Sequence, residues 1–184
     1  MRVLLKFVLD TDPDAAWRAL RSPAVFREVA APLLGMTSLE DAGFPTIWQP
    51  GEHPVRVRAG GLLPIGRQLI RVSLDDRRAD GVRILRDRGE GVSGALRAVT
   101  LWDHRMAVSP APGSDDGTAK TLYRDQLTVS AGILTPAAWA GLWAFWQWRG
   151  LRLRQLAPGW SFEPELVAAS ASGPAGDVPA LRAM

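Results

Sequence analysis

The residues best placed to do chemistry are a histidine and an aspartate on two alternating segments. In LWDHRMAV, strand alternation puts Trp102, Met106 and Val108 on the same side as His104. In TLYRDQLTV it puts Tyr123, Leu127 and Val129 on the same side as Asp125, while Arg105, Arg124 and Gln126 point the other way. If the segments pair as a hairpin, His104 lies opposite or diagonal to Asp125 and Tyr123. A carboxylate on an apolar face needs a partner, because an unpaired buried charge costs several kcal/mol. Three readings stay open. The pair forms a polar spot that orients a ligand in an apolar pocket, or the two side chains only satisfy each other. The third is acid–base catalysis, for which a His–Asp pair is the right chemistry. Tyr123, the sole tyrosine, is then the candidate second acid, although nothing marks a nucleophile.

Several function classes fall away on composition. The 184 residues contain no cysteine, which removes disulfide scaffolds, thiolate metal sites and cysteine nucleophiles. His53 and His104 are the only histidines and stand far apart, so no two-histidine metal motif can be written, and neither metal nor cofactor is expected. Net charge is +3, and the arginines alternate with acids, as in Arg86-Asp87-Arg88, without forming a single-sign block. That pattern predicts a solvated sheet surface and no nucleic-acid partner.

The N-terminal MRVLLKFVLD is interrupted by Lys6 and followed by acids, unlike a signal peptide. The uncharged stretch after Asp125 is long enough to cross a bilayer, but Pro136 divides it. Its second half also crowds Trp139, Trp143, Trp146 and Trp148 together, whereas membrane spans keep tryptophan at their interfaces. No transmembrane segment and a cytoplasmic location are the resulting expectations.

The elements that must position these residues follow from local pattern. Val3 to Leu9 reads as a strand. Thr11-Asp12-Pro13 and Ser22-Pro23 are successive helix starts, the second helix burying Val25, Phe26, Val29 and Leu33. Alternation and turn residues place strands near 36–40, 54–60, 66–76, 82–90, 97–109 and 118–130, with hairpin signals at Asp80-Gly81 and Asp116-Gly117. Pro136 opens a helix to Leu156, with Trp139, Trp143, Trp146, Gly150 and Leu153 on one face. Arg149, Arg152 and Arg154 gather toward its C-terminal end, where cations favour the helix dipole. Residues 1–160 form the domain, and 161–184 reads as a flexible Ala/Ser/Gly/Pro-rich tail.

This order resembles the START-like or SRPBCC helix-grip superfamily, which includes polyketide cyclase/dehydrase-like and lipid-transfer proteins. The residues carrying the resemblance are DPDAAWRALRSPAVFREVAAPL after the first strand, LWDHRM, and TLYRDQLTVSAGIL leading into the Trp-rich helix. It implies an α+β fold in which a curved seven-stranded antiparallel sheet wraps around the C-terminal helix, leaving an apolar cavity between them. The expected function is binding of a small hydrophobic or amphipathic molecule there, against Trp102, His104, Met106, Tyr123, Asp125, Leu127, Trp139, Trp143 and Trp146. The alternatives are a polyketide cyclase/dehydratase-type enzyme using His104, Asp125 and Tyr123, or an interaction module with a filled core and an arginine-rich contact face. The oligomeric state is left open.

Overall fold

A computed structural model of the chain describes residues 1–76, 81–113 and 119–162. Strand β1 (Arg2–Leu9) runs into helix α1 (Pro13–Arg21) and then helix α2 (Pro23–Ala30). Both helix starts are chemically capped. The Asp12 carboxylate accepts the Ala15 N–H at 2.8 Å and the Ser22 hydroxyl accepts the Val25 N–H at 3.3 Å, each followed by proline in the first turn. Val29 is buried, Val25 and Phe26 are half-buried, and Leu33 is exposed. Because α2 stops at Ala30, Leu33 falls on the bend beyond it and not on the buried helix face.

The sheet continues with β2 (Leu34–Ser38), β3 (Gly51–Ala59), β4 (Leu63–Asp75), β5 (Arg83–Asp87), β6 (Glu90–Gly94), β7 (Leu101–Pro110) and β8 (Thr121–Ser130). Its order is β1-β8-β7-β5-β4-β3-β2, with β6 paired to β4, and every pairing is antiparallel. The expected strand over 82–90 is therefore two strands, making eight among the described residues. A Cβ at Gly89 would stand 1.9 Å from the Leu69 carbonyl oxygen, so only glycine lets the chain run this close alongside β4 between β5 and β6. β5 pairs with the C-terminal part of β4 and β6 with its N-terminal part. The expected strand at 97–109 starts later, because residues 95–98 form a 3-10 turn. Asp80 and Asp116-Gly117, the expected hairpin residues, lie outside the described residues.

Helix α3 (Thr135–Leu156) crosses the concave face over β1. A Cβ at Gly150 would lie 3.3 Å from Leu5 Cδ1 and 3.4 Å from Phe7 Cε1, so the missing side chain lets the helix settle onto this edge strand. One core cluster gathers Leu9, Trp17, Leu20, Tyr123, Leu153 and Trp160; a second gathers Val3, Leu127, Val129 and Trp146. Each such side chain contributes about 1.5–3 kcal/mol by leaving water. Among the described residues no helix is long and apolar enough to cross a membrane. Trp160 is buried, and the Ser161 hydroxyl lies 2.8 Å from Asp12 Oδ2 and 3.2 Å from Thr11 Oγ1. Packing thus reaches one residue past the expected boundary at 160, and the remaining tail from 163 lies outside the described residues.

Candidate functional site

Strands β7 and β8 bring the polar residues together. His104 faces Leu127 across the pair, Met106 faces Asp125 and Val108 faces Tyr123, so Asp125 is the diagonal neighbour of His104. Four side chains converge on the Asp125 carboxylate. Oδ1 lies 2.9 Å from His104 Nε2 and accepts the Trp146 indole N–H at 3.0 Å. Oδ2 accepts the Tyr123 hydroxyl at 2.6 Å and the Arg149 Nε–H at 3.4 Å. Burial alone would push this carboxyl up. The His104 ring, the Arg149 charge and the Tyr123 hydroxyl outweigh burial and hold it well below the usual carboxylate range. Burial and the Asp125 charge push the Tyr123 hydroxyl well above its ordinary value, so it stays protonated and donating.

Arg149 closes the knot from α3. It is 3% exposed, its Nη2 contacts Met106 Sδ at 2.8 Å and the Tyr123 oxygen at 3.4 Å, and its guanidinium stands 5.6 Å from the Phe26 ring centroid. Its spacing on the helix carries a signal for this role: it lies three residues after Trp146 and four before Leu153, both buried. The clustering of arginines near the helix terminus masks that signal.

A second buried carboxylate escapes the sequence pattern. Asp87 belongs to an Arg-Asp-Arg run with the look of an exposed edge, yet it shares its side of β5 with buried Leu85. Its Oδ1 accepts backbone N–H groups of Arg71 at 2.9 Å and Gly89 at 2.8 Å, and its Oδ2 accepts the Trp102 indole N–H at 2.9 Å. Burial raises this carboxyl above its ordinary value in spite of those bonds.

Between sheet and α3 lies a cavity of about 100 Å³. Of the nine residues expected to line it, Trp102, His104, Met106 and Trp146 do so. Tyr123 and Asp125 are fully enclosed behind that wall, reaching it through His104, Trp146 and Arg149. Leu127 packs instead with Val3, Val129 and Trp146 in the second core cluster. Trp139 packs at the margin of that cluster and donates its indole N–H to the Arg2 carbonyl at 2.8 Å. Trp143 is 48% exposed. The cause is the placement of α3 on an edge strand: the flank bearing Trp143 overhangs β1, and the flank bearing Leu142, Phe145 and Arg149 turns to the cavity. The inward stripe is thus rotated by roughly half a residue step from the expected one. The opposite wall, including Phe26, Met36, Val57 and Ile70, had no polar signal in the sequence to single it out.

All four contacts to Asp125 come from donors, so the lone pairs of the carboxylate are occupied. Tyr123 spends its proton on Asp125. The His104 Nδ1 makes no hydrogen bond with the described residues, and His104 lines the cavity. Among the described residues no group of three or more His, Asp or Glu side chains gathers as a metal site.

No family model matches the chain, and no curated protein matches its sequence. Solved structures do match its fold. A protein from Chromobacterium violaceum is 15% identical with a TM-score of 0.56, over 85% of this chain and 96% of that one. A protein from Thermus thermophilus is 11% identical with a TM-score of 0.56, over 92% of this chain and 99% of that one. The Aha1 dimer from Colwellia psychrerythraea is 10% identical with a TM-score of 0.54, over 86% and 96%. At these identities the likeness is one of fold: an open, curved antiparallel sheet with a long C-terminal helix.

Proposed function

We propose that the protein binds a small hydrophobic or amphipathic molecule in the cavity between its sheet and α3, in the manner of START-like helix-grip proteins. The observation that carries this reading is the cavity itself, walled by apolar and aromatic side chains with His104 and Arg149 on one side of it. At about 100 Å³ it is smaller than the roughly 300–1,000 Å³ of common ligand pockets, because Trp102 and Trp146 project into the same space, their rings 6.1 Å apart. A compact ligand, of one ring or a short chain, fits this volume best. The enzymatic alternative through His104, Asp125 and Tyr123 is the weaker reading, since Tyr123, the candidate second acid, spends its proton on Asp125.

Toluene should quench tryptophan emission saturably, at about one site per chain, and native mass spectrometry of freshly purified protein should show a bound small molecule. A folded protein that carries no ligand and gives no saturable response to toluene or to other compact apolar probes refutes the reading.

A further inference from the structure

The two partners at the heart of the knot are unequally used. Asp125 has four donors on two oxygens. Arg149 carries five N–H donors in a fixed fork, always charged. Its Nε and Nη2 edge is turned to Asp125, Tyr123 and the Met106 sulfur, which is a weak acceptor. Its Nη1 makes no hydrogen bond with the described residues, although the side chain is almost wholly buried and lines the cavity. A charged donor that no protein acceptor engages at a cavity wall is open to an acceptor that a ligand brings. Asp125 is engaged at the Nε and Nη2 edge of the guanidinium, and Asp87, which accepts the Trp102 indole N–H, also lines the cavity.

We infer that Arg149 presents its Nη1 donors as the recognition group for an anionic ligand head, so that the compound held in the cavity is a small apolar carboxylic acid. This inference rests on the ligand-binding reading above and deepens it. The apolar body lies against Trp102, Trp146 and Ile70, and the carboxylate takes the Nη1 donors that the protein itself leaves open. His104 stands in the same wall and adds a polar neighbour at its unoccupied Nδ1.

Phenylacetate, its neutral amide phenylacetamide, and toluene form the test set, titrated by calorimetry and by tryptophan quenching. Phenylacetate should bind about tenfold to hundredfold more tightly than the amide, as expected for a charge-assisted pair. Arg149→Gln, if folded, should lose that preference and keep its affinity for toluene. Since this variant leaves Asp125 short of a partner and risks unfolding, a second measurement uses the wild-type chain. The Arg149 Nε–H resonance should shift on addition of phenylacetate and stay in place with toluene. Toluene binding with equal affinities for acid and amide, or with an unmoved Arg149 resonance, overturns the carboxylate inference and leaves the cavity reading intact. If none of the three compounds binds, the cavity reading falls and the inference falls with it.

Discussion

Asp125 and Asp87 are both buried carboxylates on the concave side of one sheet, both hydrogen-bonded through each oxygen, and their hold on a proton is shifted in opposite directions. Asp87 is held by two backbone N–H groups and an indole N–H, all neutral donors, and burial wins: its carboxyl is pushed up. Asp125 is more deeply buried, but the Arg149 guanidinium and the His104 ring stand beside it, and its carboxyl is held far down. In this interior the number of hydrogen bonds does not decide which way a carboxyl shifts; a cation within contact distance does.

The largest effect should come from taking the hub away. Asp125→Asn leaves Arg149 as a buried charge without a counter-ion and should cost about 3–5 kcal/mol, or roughly 6–20 °C in Tm, measured by thermal or urea unfolding at neutral pH. The sign with pH is definite. The Asp125 carboxyl is lower in the folded chain than its ordinary 3.8, so its stabilisation is complete above that value and is lost as pH falls toward the folded one. The gap between wild type and Asp125→Asn should therefore narrow in acid. A gap that stays constant between pH 7 and pH 3 means the carboxylate is not the source.

Asp87→Asn should be milder, about 1–2 kcal/mol, mainly for the acceptor lost to the Trp102 indole. Its pH trend runs the other way. The folded chain holds the Asp87 proton more tightly than the unfolded chain, so this residue favours folding in acid and that contribution fades as pH rises from 3.8 through the raised value. Replacing it should steepen the net loss of stability on acidification, seen as a lower urea midpoint relative to wild type below pH 4 than at pH 7. Parallel pH profiles for the two proteins would remove the contrast between the carboxylates.

The smallest effect belongs to Asp103, on the outer face of β7. Arg86 grips it with Nε and Nη2, both at 2.7 Å, and those bonds lower its carboxyl to about 2. Lying near solvent, the pair should contribute about 1 kcal/mol or less. Asp103→Asn should lose that amount in low salt and show less of it in 1 M salt, where screening is stronger. A loss as large as that of Asp125→Asn would mean that burial is not what separates the inner pairs from the outer one.

Much of the fold is legible in the sequence, and the reasons are particular. Period-two alternation puts His104 and Asp125 on one face of adjacent strands, and proline with a capping side chain marks both short helices. What escapes are features decided by contacts between distant segments. The β5/β6 break depends on a carbonyl of β4 meeting Gly89. The exposure of Trp143 depends on α3 settling over an edge strand, which a helical wheel cannot reveal. Arg149 and Asp87 are visible by spacing, as charges in line with Trp146 and Leu85, but charge itself argues for the surface. A charged residue at an apolar period should be read as a buried partner in search of its opposite.

The pairing of the first strand with the last also has a consequence in time. Among the described strands β1 pairs with β8 alone, with Arg2 opposite Thr128. At about 5–20 residues per second, roughly 6–25 s of translation separate the two. During that interval a nascent strand with Leu5 and Phe7 has no sheet to join, and α3, which also rests on it, has not been made. Closure of the domain is therefore a late, long-range event, and β1 stays without its sheet partner until it happens.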